Sequence, residues 1–285
     1  MKNRIITFVL ISYAISWLIW LPNVLYRQFG IGYFLPWLHF FGGLGPFLGA
    51  IITTFIFSKS IGVKKFFQEK FRLPKLKWFL VGIVMPVVIA LVAYLSLGIF
   101  TNNWIQLSDI GLNVKVPTES ALVVWIIWLF FYGFGEEGGW RGLLFPEFTQ
   151  KYNALTSAIF VSLIWALWHL PLFFYDKDFM SYGMGGTVGW VVGLMFGSVM
   201  LAWLAKQSKW ILWPVIFWHG TFNLFTAGDR TGYSFAAIVS TLVMVVVVWI
   251  VWQYGVNLDK PKKHLLTKKN VPPNSAEPGE PAKAG

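Results

Sequence analysis

Long apolar runs alternate with short polar stretches along the chain. Eight runs come near the ~20 residues an α-helix needs to cross a bilayer. They are Ile5–Tyr26, Leu35–Phe57, Trp78–Phe100, Ala121–Gln150, Ala154–Tyr175, Gly185–Ala205, Trp210–Ala227 and Tyr233–Tyr254. The pattern predicts an all-α fold: a polytopic membrane helix bundle of about eight transmembrane helices, with residues 1–255 as one unit. The fourth run has a polar second half, and it and the seventh fit an ordinary span least well. The first follows Met1-Lys2-Asn3-Arg4. It is longer than a signal-peptide apolar region and lacks a small-residue cleavage site, so it reads as an uncleaved first helix.

Composition agrees. The chain is 56% hydrophobic and 12% charged, against roughly 25% charged in soluble domains. The net charge of +11 is not a nucleic-acid signature, because the cations lie in loops and in the tail. With the N-terminus inside, 19 Lys and Arg fall on the cytoplasmic side and 4 on the other: Arg27, Lys115, Lys177 and Arg230. That bias places both termini in the cytoplasm, consistent with an even helix count. Ser58 to Lys77 reads as a basic cytoplasmic loop, with Phe66, Phe67 and Phe71 able to lay it on the membrane surface. Residues 256–285 read as a disordered basic cytoplasmic tail. The chain has no cysteine, which excludes disulfides, thiolate chemistry and Cys-based zinc sites. No internal repeat is visible.

Against this background the stretch Gly135-Glu136-Glu137-Gly138-Gly139-Trp140-Arg141 stands out, because it follows the uncharged run from Ala121 to Phe134. A charge in hydrocarbon costs roughly 2.5–3.5 kcal/mol on insertion scales, so it needs a partner or a task. Glu137 and Arg141 are i,i+4 and share one helix face, so they can pair. Glu136 points about 100° away from Glu137 and lacks that counter-ion.

Two histidines also lie deep in apolar runs, His169 and His219, with Asn223 one turn beyond His219 on the same face. If the fourth and fifth helices turn near Tyr152, Glu136 and His169 each lie about 25 Å from the turn. His219 and Asn223 lie about 18 and 24 Å from a turn near Gln207. Three helices thus bring four polar groups to one level. His39 falls near a helix start, with an ordinary hydrogen-bonded role, and His264 lies in the tail. A buried carboxylate beside histidines suits general-base activation of water. His and Asn donors suit oxyanion stabilisation. Together they point to amide hydrolysis. His169, His219 and a carboxylate also suit Zn²⁺, so zinc stays open and no cofactor is assigned.

At these residues the chain resembles the intramembrane CAAX-protease and bacteriocin-processing (CPBP, or Abi) family, related to type II CAAX prenyl endopeptidases. The family pattern E-E-x-x-x-R, F-x-x-x-H, H-x-x-x-N is matched by Glu136-Glu137 to Arg141, Trp165 to His169, and His219 to Asn223. Trp165 stands where Phe is usual and keeps the aromatic role. The resemblance spans about Ala121 to Phe225, the expected catalytic core. It implies an intramembrane endopeptidase in which Glu136 activates water, His169 assists, and His219 and Asn223 bind the oxyanion. Glu137 and Arg141 would form the structural pair. It leaves a metalloprotease and a metal-independent glutamate enzyme both open, the second preferred. The implied partners are the lipid bilayer and a peptide or protein substrate, either prenylated and CAAX-like or a leader or bacteriocin-type peptide. A prokaryotic plasma membrane is the implied location. The alternatives are a polar-core transporter, which should show repeats or paired broken helices, and a non-catalytic membrane scaffold.

Overall fold

The computed structural model describes residues 2–116, 118 and 120–261, and among these every regular element is helical. The helices are α1 (Lys2–Phe29), α2 (Leu38–Gly42), α3 (Gly45–Lys70), α4 (Leu76–Thr101), α5 (Ala121–Thr149) and α6 (Ala154–Trp168). They continue as α7 (Leu172–Tyr175), α8 (Lys177–Ser181), α9 (Gly183–Gln207), α10 (Trp213–Thr226) and α11 (Gly232–Tyr254). Among the described residues seven spans are long and apolar enough to cross a membrane, α2–α3 and α6–α7 each counting as one. The protein is therefore a multi-pass membrane bundle. The seventh expected span is the shorter α10. Its 14 residues reach about 21 Å, short of the ~30 Å hydrocarbon core. It lies instead inside the protein against α4 and α5.

Local chemistry sets the helix ends. Pro46 and Pro214 stand in the first turns of α3 and α10, where a missing N–H breaks no helical bond. Asn153 caps α6 by accepting from the Thr156 N–H at 2.9 Å. The basic stretch after Ser58 is not a plain loop. The backbone bends at Lys59, at φ +54°, and then stays helical to Lys70. This second part buries Phe66 beside Gly142 of α5 and leaves Lys64 and Lys65 exposed.

α5 is the unusual element. Two π-helical segments, Leu129–Phe134 and Trp140–Leu144, flank the α-helical turn Gly135–Gly139. π turns are rare and recur at functional sites. The backbone of α5 comes very close to its neighbours on two sides. A Cβ at Gly139 would lie 2.5 Å from the Pro46 backbone of α3, and one at Gly133 would lie 2.6 Å from the Ile216 carbonyl of α10. Only glycine permits both approaches, and small residues at helix interfaces are how membrane helices gain packing without a hydrophobic drive.

Polar ties close each end. At one end Arg4 meets Glu147 at 2.9 Å, and Lys206 meets Asp259 at 2.6 Å. Residues 255–261 fold back here, with Leu258 buried. The rest of the expected tail, including His264, lies outside the described residues. At the other end the segment 102–116 is strapped across the bundle. The Asn113 side chain donates to the Ala227 carbonyl at 2.5 Å, and Asp229 accepts from the Val114 N–H at 3.0 Å. Lys115 pairs with Asp176 at 2.8 Å and with Asp178 at 3.3 Å. His39 contacts the Tyr175 hydroxyl at 3.1 Å and Asp176 at 3.4 Å, the hydrogen-bonded role its position predicted.

Burial alone would push the Lys115 pKa down, but the charges of Asp176 and Asp178 reverse this and hold it above the ordinary lysine value. Burial would push Asp176 up, but attraction from His39 and Lys115, with hydrogen bonds from Lys115 and the Asp178 N–H, holds it below the ordinary aspartate value. A depressed Asp stabilises the fold above its unfolded pKa of ~4, and a raised Lys does so below its unfolded pKa of ~10.4. The strap should therefore be fully held from about pH 5 to 9 and lost in acid as Asp176 protonates. Amide hydrogen exchange of residues 102–116, corrected for the intrinsic rate, should be flat over that range and rise below about pH 4. Asp176→Asn should expose the segment at neutral pH, by roughly 1–3 kcal/mol once the partial exposure of Lys115 is allowed for. Unchanged protection in the variant would contradict the strap.

Candidate active site

The turn Gly135–Gly139 places Glu136 and Glu137 inside the bundle. Glu136 is 3% exposed, and Glu137 and Arg141 are fully buried. The i,i+4 pair forms, with Arg141 Nη1 3.0 Å from Glu137 Oε1. Spacing could not show that the same oxygen also meets His219 Nδ1 of α10 at 2.8 Å. One carboxylate oxygen thus holds a cation from its own helix and an imidazole from another. Glu136 is held differently. The Trp165 indole N–H of α6 donates to its Oε2 at 2.6 Å.

His169 sits where α6 unwinds, two residues before Pro171. Its backbone N–H turns to Ala166 at 3.2 Å, so the Trp165 carbonyl lacks its usual helical donor. The His169 ring takes that place, with Nδ1 2.7 Å from the Trp165 oxygen. A carbonyl only accepts, so Nδ1 carries the proton. The ring packs against Phe179 at 5.9 Å and Trp190 at 5.2 Å. Both histidines therefore spend Nδ1 on an anchor and keep Nε2 for other partners.

Trp165 stands among all of these groups. Its ring lies 5.9 Å from His169, 5.5 Å from His219 and 4.8 Å from the Arg141 guanidinium carbon. The structure thus gathers Glu136, His169 and His219 around one indole. Asn223 lies one turn beyond His219, half-buried. Among the described residues no three His, Asp or Glu side chains are arranged to hold a metal. As placed, these side chains do not form a three-ligand site, and no step is routed through a metal.

Residues 118–225 match the family model for the type II CAAX prenyl endopeptidase Rce1-like proteins. This segment is similar to the Rce1-like domain. It begins just before α5 and ends in α10, so it contains every residue of the cluster. CAAX prenyl protease 2 of Methanococcus maripaludis is 25% identical to this chain over 235 residues, covering 76% of the chain and 82% of that protein. The family and this relative are proteases by name, and the likeness to the relative reaches well beyond residues 118–225.

Glu137 is the junction of the cluster, so removing its cation should cost folded protein as well as activity. Arg141→Ala should lose roughly 3–5 kcal/mol, the usual cost of breaking a buried pair, read as a lower melting temperature in detergent. Glu137→Gln combined with Arg141→Gln should recover part of that loss. An Arg141→Ala protein that melts like wild type would show that the pair contributes nothing.

Proposed function

We propose that this protein is an intramembrane endopeptidase of the type II CAAX kind, with residues 121–225 as the catalytic core of a single bundle. The observation that carries the reading is the placement of Glu136. It is a carboxylate within a membrane-spanning helix, held by the Trp165 indole N–H while its neighbour Glu137 pairs with Arg141 and His219, with two anchored histidines beside it. Such an arrangement gives Glu136 no ion-pair partner of its own and suits it to take a proton from water.

In this reaction Glu136 removes a proton from water, and the resulting hydroxide adds to the scissile carbonyl. His169, protonated at Nδ1, presents the Nε2 lone pair and orients the same water. His219 with both nitrogens protonated donates Nε2–H to the oxyanion, and Asn223 supplies a second donor one turn away. That charge state sets Glu136 and Glu137 against Arg141 and His219, so the buried group is neutral overall, the condition under which buried charges are tolerated. Collapse of the tetrahedral adduct returns the proton from Glu136 to the leaving amine. The substrate is a peptide or protein reached from the bilayer, and the family likeness favours a prenylated C-terminal segment. The charge bias of the loops favours both termini in the cytoplasm, and with the family likeness it favours a prokaryotic plasma membrane.

The test is cleavage by purified protein of a prenylated peptide, its unprenylated twin and a leader-peptide panel. Glu136→Gln should abolish hydrolysis while the protein still inserts and melts normally, because the amide keeps the shape and loses the base. Asn223→Ala should lower kcat by about 10²–10³ with little change in KM. Elemental analysis should find well under one zinc per chain, and activity should survive chelation. Near wild-type turnover in Glu136→Gln would sink the assignment. Activity lost on chelation and restored by Zn²⁺ would replace it with a metalloprotease.

A further inference from the structure

Trp165 offers more than an aromatic ring. Its side-chain N–H donates to Glu136 Oε2 at 2.6 Å, and its backbone carbonyl accepts from His169 Nδ1 at 2.7 Å. One residue therefore contacts both the carboxylate and the histidine that the proposed reaction needs on the same water. The residue is 4% exposed and hemmed in on its other sides. Arg141 lies over its ring, and His219 meets it at an interplanar angle of 73°. An indole packed in this way has little freedom, so its N–H points in one direction.

A glutamate side chain has three rotatable bonds and two equivalent oxygens. Free to turn, Glu136 could present its carboxylate in several directions. The indole N–H opposes this by binding Oε2. Donors to a carboxylate make the stronger class of hydrogen bond. We propose that Trp165 is a positioning residue that fixes the Glu136 carboxylate and aligns it with His169, a task phenylalanine, the usual residue in the resembled pattern, cannot perform. The proposal rests on the reading of Glu136 as the base.

The test separates the N–H from the ring. Replacing Trp165 with 3-benzothienylalanine keeps the shape and changes the N–H to sulfur. Loss of a hydrogen bond to a charged group should lower kcat about 10–100-fold. KM should stay within about twofold and the melting temperature should match wild type, an outcome a packing role would not produce. Trp165→Phe should lower kcat at least as much and also cost thermal stability, because it leaves a cavity. A benzothienyl protein with wild-type kcat would overturn the positioning role while leaving the base assignment intact. A Glu136→Gln protein that still turns over would instead remove the reading on which the proposal stands.

Discussion

Glu137 Oε1 is the atom on which the rest of the structure depends. It accepts from Arg141 of its own helix and lies within hydrogen-bond reach of His219 of α10. Neither cation nor carboxylate would be stable alone at this depth, since an unpaired buried charge costs several kcal/mol. Once paired, the three groups fix how α5 and α10 stand relative to each other. They also explain why Glu136 is left without a cation. The two carboxylates are neighbours in sequence, but the helix turns them apart, and the only buried guanidinium in the cluster serves one of them. What remains for Glu136 is a neutral donor from a third helix. The division between a structural carboxylate and a reactive one thus follows from 100° of helical rotation.

That electrostatic junction needs close helices. In a membrane the lipid is as apolar as the side chains, so burial alone does not draw helices together. Gly133 and Gly139 answer this by letting the α5 backbone touch α10 on one side and α3 on the other. The short α10 belongs to the same solution. It does not reach across the bilayer, but it brings His219 to Glu137 and against the Trp165 ring, enclosed by α4 and α5. Its length reflects a role inside the bundle, whereas the long helices around it face lipid with residues such as Leu10, Leu18, Ile99 and Val245.

Much of this was legible in the sequence. Hydropathy located the long spans because length and apolarity are what a bilayer demands. Distance from the turns predicted the common level of Glu136, His169 and His219, because helical rise is constant along the chain. Rise says nothing about direction around the axis, so the partners were not legible: His219 meets Glu137, and Trp165 lies between Glu136 and both histidines. The two π segments escaped notice because they change hydrogen bonding without changing composition. The strap through Asn113, Lys115, Asp176 and Asp229 was not legible, since its polar residues look solvated until the fold brings 113 against 227 and 115 against 176. The one available signal for Trp165 was its identity. A tryptophan has an N–H that must be satisfied when buried, and it stood four residues before a histidine, beside a helix with an unpaired acid.

The two histidines show how helix position alone divides roles between identical side chains. His169 caps an unwinding helix end, where the available partner for Nδ1 is a backbone carbonyl. That partner accepts one proton and offers no charge, so it favours a neutral ring with a free lone pair on Nε2. His219 lies mid-helix, where backbone groups are already paired, and its Nδ1 meets a carboxylate. That partner supports a cation, which leaves Nε2 as a donor. In the reaction proposed, the water is held by the acceptor and the oxyanion by the donor. Exchanging the two anchors would exchange the two roles without altering either imidazole.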